Sequence, residues 1–470
     1  MTRRMMGVWL RGALRVRRGE GGVVALSGLF FFLLMLGYFL IRPVREAMGV
    51  QRSMDELRWL FVTTCAVSLL VTLAFGSAVS RLDRSRFIPL AVRAVSACLV
   101  VFAGLLVALD GAAGVRVGFV FYVWLSIVNL FMVSVFWAFM ADVWTLEQGK
   151  RLFPSIAVGG TVGALLGGLL AWRAAGAMGP AWLMLTAAGL FEIAVRVMRA
   201  IDARAGRATA RERAGVMPGG VSGGGRIGGW WWDGAAAMVR SPYLLGIGCY
   251  IVLMAVSSTL LYFTQARLVV DASSELSERV ALFGQLDMWT QAATLLAQLF
   301  VTGRLIRLVG VGWTLAVLPL VTAAGFAALA WVSRIEGVEP WKVFAVFAAF
   351  NAVHRATRYA VARPARETLF GVLPASEKYK AKPIVDVFVY RGGDVAGVGV
   401  DRWLAGAAVG LSGVALAAAP LAVVWCGLSL MLAWGQRRRA EGGGSGTLVV
   451  DLHGALGASN AGLAPGGVER

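Results

Sequence analysis

The 470-residue sequence is poor in charged residues, which make up 15% of it, and it contains only two histidines and four cysteines. Soluble globular domains have about 25% charged residues, so a water-soluble fold is disfavoured. The cysteines stand singly in apolar runs, without the spacing of a disulfide framework or a zinc site. Few general bases and no HExxH or P-loop motif are present. The sequence therefore predicts neither an enzyme nor a bound cofactor or metal.

Long apolar runs take up most of the chain instead. Hydrophobic residues make up 58% of the sequence, and a helix that crosses a bilayer core of about 30 Å needs about 20 of them in succession. At that length the sequence predicts an all-α membrane protein with twelve transmembrane helices. The runs lie near 22–41, 59–80, 87–109, 117–141, 153–172, 180–197, 242–264, 282–303, 309–333, 341–361, 384–400 and 411–434.

Basic residues are distributed unevenly between the breaks that separate these runs. When the N-terminus is placed in the cytoplasm, the breaks on that side carry an excess of basic residues equal to the net charge of +19, and the charges on the other side cancel. This asymmetry follows the positive-inside rule. It predicts a multi-pass protein of a bacterial inner membrane with both termini cytoplasmic. Membrane lipids are then its partners, and the basicity does not indicate nucleic-acid binding.

The longest break divides the runs into two sets of six. We predict an N-terminal six-helix bundle (1–198), a cytoplasmic linker with an interfacial helix (199–241), a C-terminal six-helix bundle (242–436) and a disordered cytoplasmic tail (437–470). This organisation is typical of major-facilitator-type transporters, whose pseudo-symmetric halves enclose the substrate site. The pattern RPxRE occurs at 42–46 and again at 363–367, near equivalent helix ends. In the first copy Pro43 removes a backbone donor, which predicts a break in the helix.

Charged side chains within apolar helices are costly unless they are paired or face water, so they are the first candidates for a functional site. Arginine suits an anionic substrate because it is always charged and donates two hydrogen bonds to one group. The residues predicted to contact substrate are Arg42, Arg45, Arg358, Arg366, Tyr262 and Asn129. Those predicted to form gating pairs or to couple protons are Glu46, Glu367, Asp287, Arg391 and Asp394. Positive-inside retention and structural salt bridges remain alternative explanations for these charges.

Three segments resemble the ATP/ADP translocase family of plastids and intracellular bacteria. They are IRPVRE at 41–46, FWAFMADVWTLEQGKRLFP at 136–154 and RYAVARPARETLFGVLPASEKYKAKPIVDVFVYRGGD at 358–394. The resemblance extends over about residues 22–436. It implies a major-facilitator-like fold and the exchange of nucleotides across the membrane.

The chain departs from that family at the charged positions of the cavity. The family's first-helix lysine falls on Arg45, but the acidic positions of the fourth and seventh helices fall near Ser126 and on Tyr262. The eleventh-helix lysine falls on Asp394. These differences predict that phosphate binding and coupling are altered.

The sequence thus predicts a secondary transporter that moves a small organic anion, such as a nucleotide, by alternating access. One alternative is a transporter or flippase of the same fold for a lipid-linked or amphipathic substrate. Another is a membrane scaffold that transports nothing. A lateral opening lined by apolar side chains would favour the first alternative.

Overall fold

The computed structural model describes residues 17, 20–79, 84–109, 111–213, 238, 240–374, 377, 381–382, 384–407 and 410–457. Within these residues all regular secondary structure is helical. Most of the predicted interfacial helix of the linker lies outside the described residues, and so does the end of the predicted tail.

Among the residues that the structure describes, the first half of the chain forms six helices. The first four are α1 (Gly21–Gly49), α2 (Met54–Val79), α3 (Arg84–Ala108) and α4 (Gly111–Val143). The helical stretch Leu146–Arg213 then bends at Gly179, whose φ of 74° lies in the region that favours glycine. We refer to its two arms, 146–178 and 180–213, as α5 and α6, and to α1–α6 as the N half.

The second half also forms six helices, which we call the C half. The first three are α7 (Pro242–Ala272), α8 (Leu276–Phe300) and α9 (Thr302–Val332). Helix α10 consists of Pro340–Ala356, a π-helical turn at Thr357–Ala362 and Arg363–Leu369, and a short 3-10 turn follows at Phe370–Val372. Helix α11 begins with a π-helical turn at Ile384–Val389 and continues as Tyr390–Gly406. Helix α12 is Leu411–Gly457.

Each of the twelve predicted runs coincides with one of these helices, which makes the chain an all-α membrane protein. Seven helical stretches in the described residues are long and apolar enough to cross a membrane, and one of them contains both α5 and α6. Helices α10 and α11 are not among them, because π-helical turns interrupt both. Neither is α8, which is rich in Gln and Thr. Their polar residues face a cavity described below.

One of the predicted helix ends is wrong. Helix α1 runs on to Gly49 with Pro43 inside it, so the proline does not break the helix. Val44, Ala47 and Met48, which follow it, are fully buried, and this packing holds the helix together. Helix α12 is continuous to Gly457.

Successive helices run antiparallel, so the chain connections alternate between two ends of the molecule. The end at which α1 begins is the one predicted to carry the excess of basic residues, and we call it the basic end. The end at which α1 finishes is called the opposite end.

Glycines on α5 allow two close helix contacts. A side chain at Gly159 or Gly167 would lie 2.5 or 2.7 Å from the carbonyl oxygen of Gly28 or Leu36, so the backbones of α5 and α1 touch. On the other side of α5, a Cβ at Gly168 would lie 2.8 Å from the Met288 nitrogen. A Cβ at Gly284 would lie 2.7 Å from the Trp172 nitrogen. Helices α5 and α8 therefore join the N half to the C half by direct backbone contact, as small residues permit within a membrane.

Replacing Gly284 with leucine is expected to force these two helices apart. Because the new side chain meets backbone rather than a flexible side chain, the cost should be about 1–3 kcal/mol of unfolding free energy, as for other overpacked sites. The measurement is the thermal midpoint of the purified protein in detergent. Gly399→Leu is a matched control, since Gly399 is also helical and nothing lies within 4 Å of its added Cβ. Equal midpoints for the two variants would contradict the α5–α8 contact.

Candidate functional site

Two adjoining cavities lie between the halves. The central cavity has a volume of about 520 Å³ and is lined by α1, α2, α4 and α5 of the N half and by α7, α8, α10 and α11 of the C half. The second, of about 620 Å³, lies nearer the basic end and is called the basic-end cavity. They share Asn129, Arg358 and Arg363 in their walls. Both volumes fall in the range of small-molecule sites, about 300–1,000 Å³.

Most of the residues selected from the sequence meet at the central cavity. Those that line it are Arg42, Arg45, Glu46, Asn129, Tyr262, Arg358, Arg391 and Asp394. Arg366 lines the basic-end cavity. Asp287 is buried beside Arg42, and Glu367 lies near the basic end of α10.

A buried ion pair joins the halves beside the central cavity. Arg42 on α1 donates a 2.6 Å hydrogen bond to Asp287 on α8, whose side chain is only 2% exposed. Arg355 on α10 lies 3.5 Å from the same carboxylate oxygen. Arg42 is also 3.7 Å from Glu46. Since neither charge reaches bulk water, each depends on the other for its stability.

A second polar network lies one turn further along α1. Arg45 forms an ion pair with Glu46 and donates a 2.9 Å hydrogen bond to Ser126 on α4. Tyr262 on α7 donates to the other oxygen of Glu46 at 2.7 Å, and its hydroxyl lies 2.8 Å from that of Tyr122. Ser126 and Tyr262 thus tie α4 and α7 to α1 through their hydroxyl groups.

Three more basic residues of the C half are neutralised by carboxylates. Arg391 lies 3.2 Å from Asp394. Arg366 lies 3.0 Å from Asp386 and 3.2 Å from Glu367. Lys382 lies 2.6 Å from the second oxygen of Glu367.

Glu367 lies after the apolar run predicted for α10, which ends near 361. Burial raises the pKa of its carboxyl, but the hydrogen bonds and positive charges of Lys382 and Arg366 together outweigh this effect. The pKa of Glu367 is therefore below its ordinary value. The carboxylate stays charged at neutral pH and keeps Arg366 paired.

Arg358 and Arg363 differ from these arginines. Arg358 donates to the hydroxyl of Tyr390, and its guanidinium lies 5.2 and 5.4 Å from the ring centres of Tyr359 and Tyr390. Arg363 is exposed in the wall of both cavities. Among the described residues, neither has a carboxylate within ion-pair distance. Aromatic rings orient a guanidinium without cancelling its charge, so both cations remain available to an anion.

The two π-helical turns lie beside these arginines. The turn of α10 contains Arg358 and Tyr359, and the turn of α11 comes directly before Tyr390. A π-helical turn inserts an extra residue into an α-helix, and such turns occur frequently at functional sites. Here they bring the side chains of α10 and α11 together in one wall.

Several cavity residues were not selected from the sequence. Arg363 belongs to the second RPxRE copy, and Arg355 lies one turn before Arg358, so the basic spacing of α10 could have identified both. No local pattern marks Tyr359 and Tyr390, because their roles depend on Arg358.

Toward the opposite end, the halves are joined by a carboxylate shared between two arginines. Asp401 on α11 accepts hydrogen bonds of 2.9 and 2.8 Å from Arg58 on α2 and pairs with Arg267 on α7. Arg58 is also bonded to Asp55 at 2.6 Å. In addition, Arg279 donates to the carbonyl of Val50 at 2.9 Å, which ties α8 to the end of α1. These contacts hold the two halves together on this side of the central cavity.

The chain resembles solved transporter structures. A bacterial homologue of the human lysosomal transporter Spinster, in an inward-facing and unoccupied conformation, has a TM-score of 0.50 and 16% sequence identity. That match covers 90% of this chain and 94% of the other. A mutant form of the nucleoside transporter NupG has a TM-score of 0.48 and 13% identity, and the match covers 89% of this chain and 98% of the other.

No family model and no curated protein matches the sequence. The resemblance to ATP/ADP translocases therefore stays a prediction. At 16% identity the likeness to the Spinster homologue shows the fold alone, which is of the major-facilitator type.

Proposed function

We propose that the protein is a secondary transporter that moves a small organic anion across a membrane by alternating access. Arg358 and Arg363 are the residues that hold the anionic group. The observation that carries the proposal is their place in the wall between two halves, without a neutralising carboxylate among the described residues. Arginine keeps its charge in such a site and binds phosphate or carboxylate through two hydrogen bonds.

The remaining arginines of the site have a different role in this proposal. Arg42, Arg45, Arg366 and Arg391 are paired with carboxylates. Their pairs hold the helices in place and are exchanged as the halves, 1–198 and 242–436, rock against each other. Major-facilitator transporters bind substrate between two such halves.

We also propose that the protein lies in an inner membrane with both termini in the cytoplasm, and that its substrate is a nucleotide. With the basic end in the cytoplasm, the basic-end cavity opens inward and the Asp401 cluster closes the outward side. A nucleotide suits a cavity that combines arginines with the rings of Tyr359 and Tyr390, since a base can stack on an aromatic ring. The ATP/ADP translocases that the sequence resembles carry other charges at the positions of Tyr262 and Asp394 and near Ser126, so we propose that the coupling of this protein differs from strict ATP/ADP exchange.

Uptake into proteoliposomes tests the proposal. The substrates are radiolabelled ATP, ADP, sugar phosphates and dicarboxylates, with an uncharged nucleoside for comparison. We expect uptake of at least one anion, and Arg358→Gln or Arg363→Gln should lower it by about 10-fold or more. A lost hydrogen bond to a charged group costs about 1.5–3 kcal/mol, which corresponds to roughly a 10- to 150-fold change.

Arg304→Gln is the matched control, because Arg304 is exposed and donates only to the Phe300 carbonyl of its own helix. Its uptake should equal that of the wild type. Unchanged uptake in both cavity variants, or movement of the uncharged nucleoside alone, would refute the assignment of the anion site.

An amphipathic anion is a second candidate. Across the basic-end cavity from the arginines, the wall contains the apolar side chains of Leu69, Val71, Ile127, Leu130 and Phe131. This surface could take the hydrocarbon part of a substrate whose charged group binds Arg363. Uptake or binding of an alkyl phosphate in preference to ATP and sugar phosphates would favour this candidate.

A further inference from the structure

In the wall that the C half contributes to the central cavity, three polar side chains are buried and have no hydrogen-bond partner among the described residues. They are Thr290 on α8 and Asn351 and His354 on α10, and each is 1% exposed. The unpartnered atoms are the Thr290 hydroxyl oxygen, the Asn351 amide nitrogen and both ring nitrogens of His354. A buried polar group that lacks a partner is expensive, and most such groups in folded proteins are satisfied.

These three side chains lie close to Arg355 and Arg358 in the same wall, but they are uncharged. Asn351, His354 and Arg358 are spaced three and four residues apart, so they follow one face of α10. His354 also contacts the ring of Phe350 edge-on, with the ring centres 5.9 Å apart. The face therefore leads from neutral hydrogen-bonding groups near α8 to the guanidinium of Arg358.

The chemistry of the neutral group matches a hydroxylated ligand. A threonine hydroxyl both donates and accepts, a neutral imidazole has one donor and one acceptor, and the free amide nitrogen of asparagine donates. A hydroxyl group of a ligand both donates and accepts, so it can form a hydrogen bond with each of these atoms. An alkyl chain can form none of these hydrogen bonds, and a second phosphate would accept but not donate.

We propose that Thr290, Asn351 and His354 form a subsite for the hydroxyl groups of the substrate, beside the arginines that hold its anionic group. The substrate is thus a polyhydroxylated organic anion, such as a sugar phosphate, rather than an anion with an aliphatic body. This inference rests on the anion transport proposed above.

Helix α8 provides a matched pair of residues for the test. Thr290 and Thr294 lie one turn apart, and both are at least 95% buried. The Thr294 hydroxyl already donates to the Thr290 carbonyl at 2.7 Å, whereas the Thr290 hydroxyl has no partner. Thr290→Val should therefore affect a hydroxylated ligand, and Thr294→Val should not.

The experiment measures thermal stabilisation of the purified full chain by three probes: inorganic phosphate, glucose 6-phosphate and hexyl phosphate. A ligand that binds only the folded state raises its stability by an amount that grows with the logarithm of the ligand concentration divided by its Kd, so the shift reports the affinity. In the wild type, glucose 6-phosphate should bind at least about fivefold more tightly than hexyl phosphate, which is the size expected for one or two neutral hydrogen bonds. In Thr290→Val and Asn351→Leu this ratio should fall toward one, while the affinity for inorganic phosphate is unchanged. Thr294→Val should keep the wild-type ratio.

The outcomes separate the two proposals. If inorganic phosphate stabilises the protein but hexyl phosphate binds as well as glucose 6-phosphate, the subsite is overturned and the anion site stands. If Thr290→Val and Thr294→Val change the ratio equally, the subsite is also overturned. Should none of the three probes stabilise the wild type, the anion site fails and the subsite fails with it. Thr290→Val is nearly isosteric, so the test does not depend on whether Asn351→Leu folds.

Discussion

Replacing Asp287 with asparagine is expected to lower the free energy of unfolding by about 3–5 kcal/mol, the range measured when one member of a buried ion pair is removed. Asp287 is 2% exposed and bonded to Arg42, and Arg355 lies near the same oxygen. Without the carboxylate, two guanidiniums remain buried with little compensation. Reversible unfolding in mixed micelles is the measurement.

Two further variants sharpen this prediction. Asp271→Asn changes an exposed carboxylate near the end of α7 and should leave stability within about 0.5 kcal/mol of the wild type. The double variant Arg42→Gln with Asp287→Asn should be less destabilised than the sum of its single variants, because directly paired residues couple. Additive effects would mean that the pair does not stabilise the protein as a unit.

Replacing Asp401 with asparagine is expected to open the opposite end of the molecule. Asp401 is the carboxylate that Arg58 of the N half and Arg267 of the C half share. Each hydrogen bond to a charged group contributes about 1.5–3 kcal/mol. Losing even one of them shifts the balance between closed and open states by about 10-fold or more.

Cys65 reports this opening, since it lines the central cavity and is 2% exposed. A membrane-impermeant thiol reagent is added to the side of the vesicle that the opposite end faces, and labelled Cys65 is quantified by mass spectrometry. Labelling should be slow in the wild type and clearly faster in Asp401→Asn. Asp55→Asn is the control, because Asp55 is 72% exposed and binds Arg58 within the N half. Equal labelling of both variants would exclude the proposed closure by Asp401.

Sequence reasoning located the helices because each crossing demands a long apolar run, and helix ends carry local signals. Ser241 and Pro242, for example, start α7, where the Ser241 hydroxyl accepts from the Leu244 amide. The end of α1 was placed too early because Arg42, Arg45 and Glu46 look like loop residues. They are helical because residues from other helices neutralise them, and one of these, Asp287, is 245 positions away.

The sequence indicates which charged residues lie near the cavity, but the role of each residue depends on the fold. Most of the charged residues selected from the sequence lie at the central cavity, since few other places in a membrane protein accept them, and their binding roles stay a prediction. Which arginine stays unneutralised depends on pairings such as Arg366 with Asp386, and these require the fold. The π-helical turns were also missed, because TRYAVA at 357–362 and IVDVFV at 384–389 have no feature that separates them from ordinary helix.

The glycine contacts of α5 and α8 bear on how the halves can move. Gly168 and Gly284 bring the two backbones together without a side chain between them. When one half tilts against the other at this crossing, no rotamer has to change and no side chain has to be withdrawn. In the rocking motion proposed above, this crossing would therefore act as the fulcrum, and a small rotation there would widen one entrance as the other narrows.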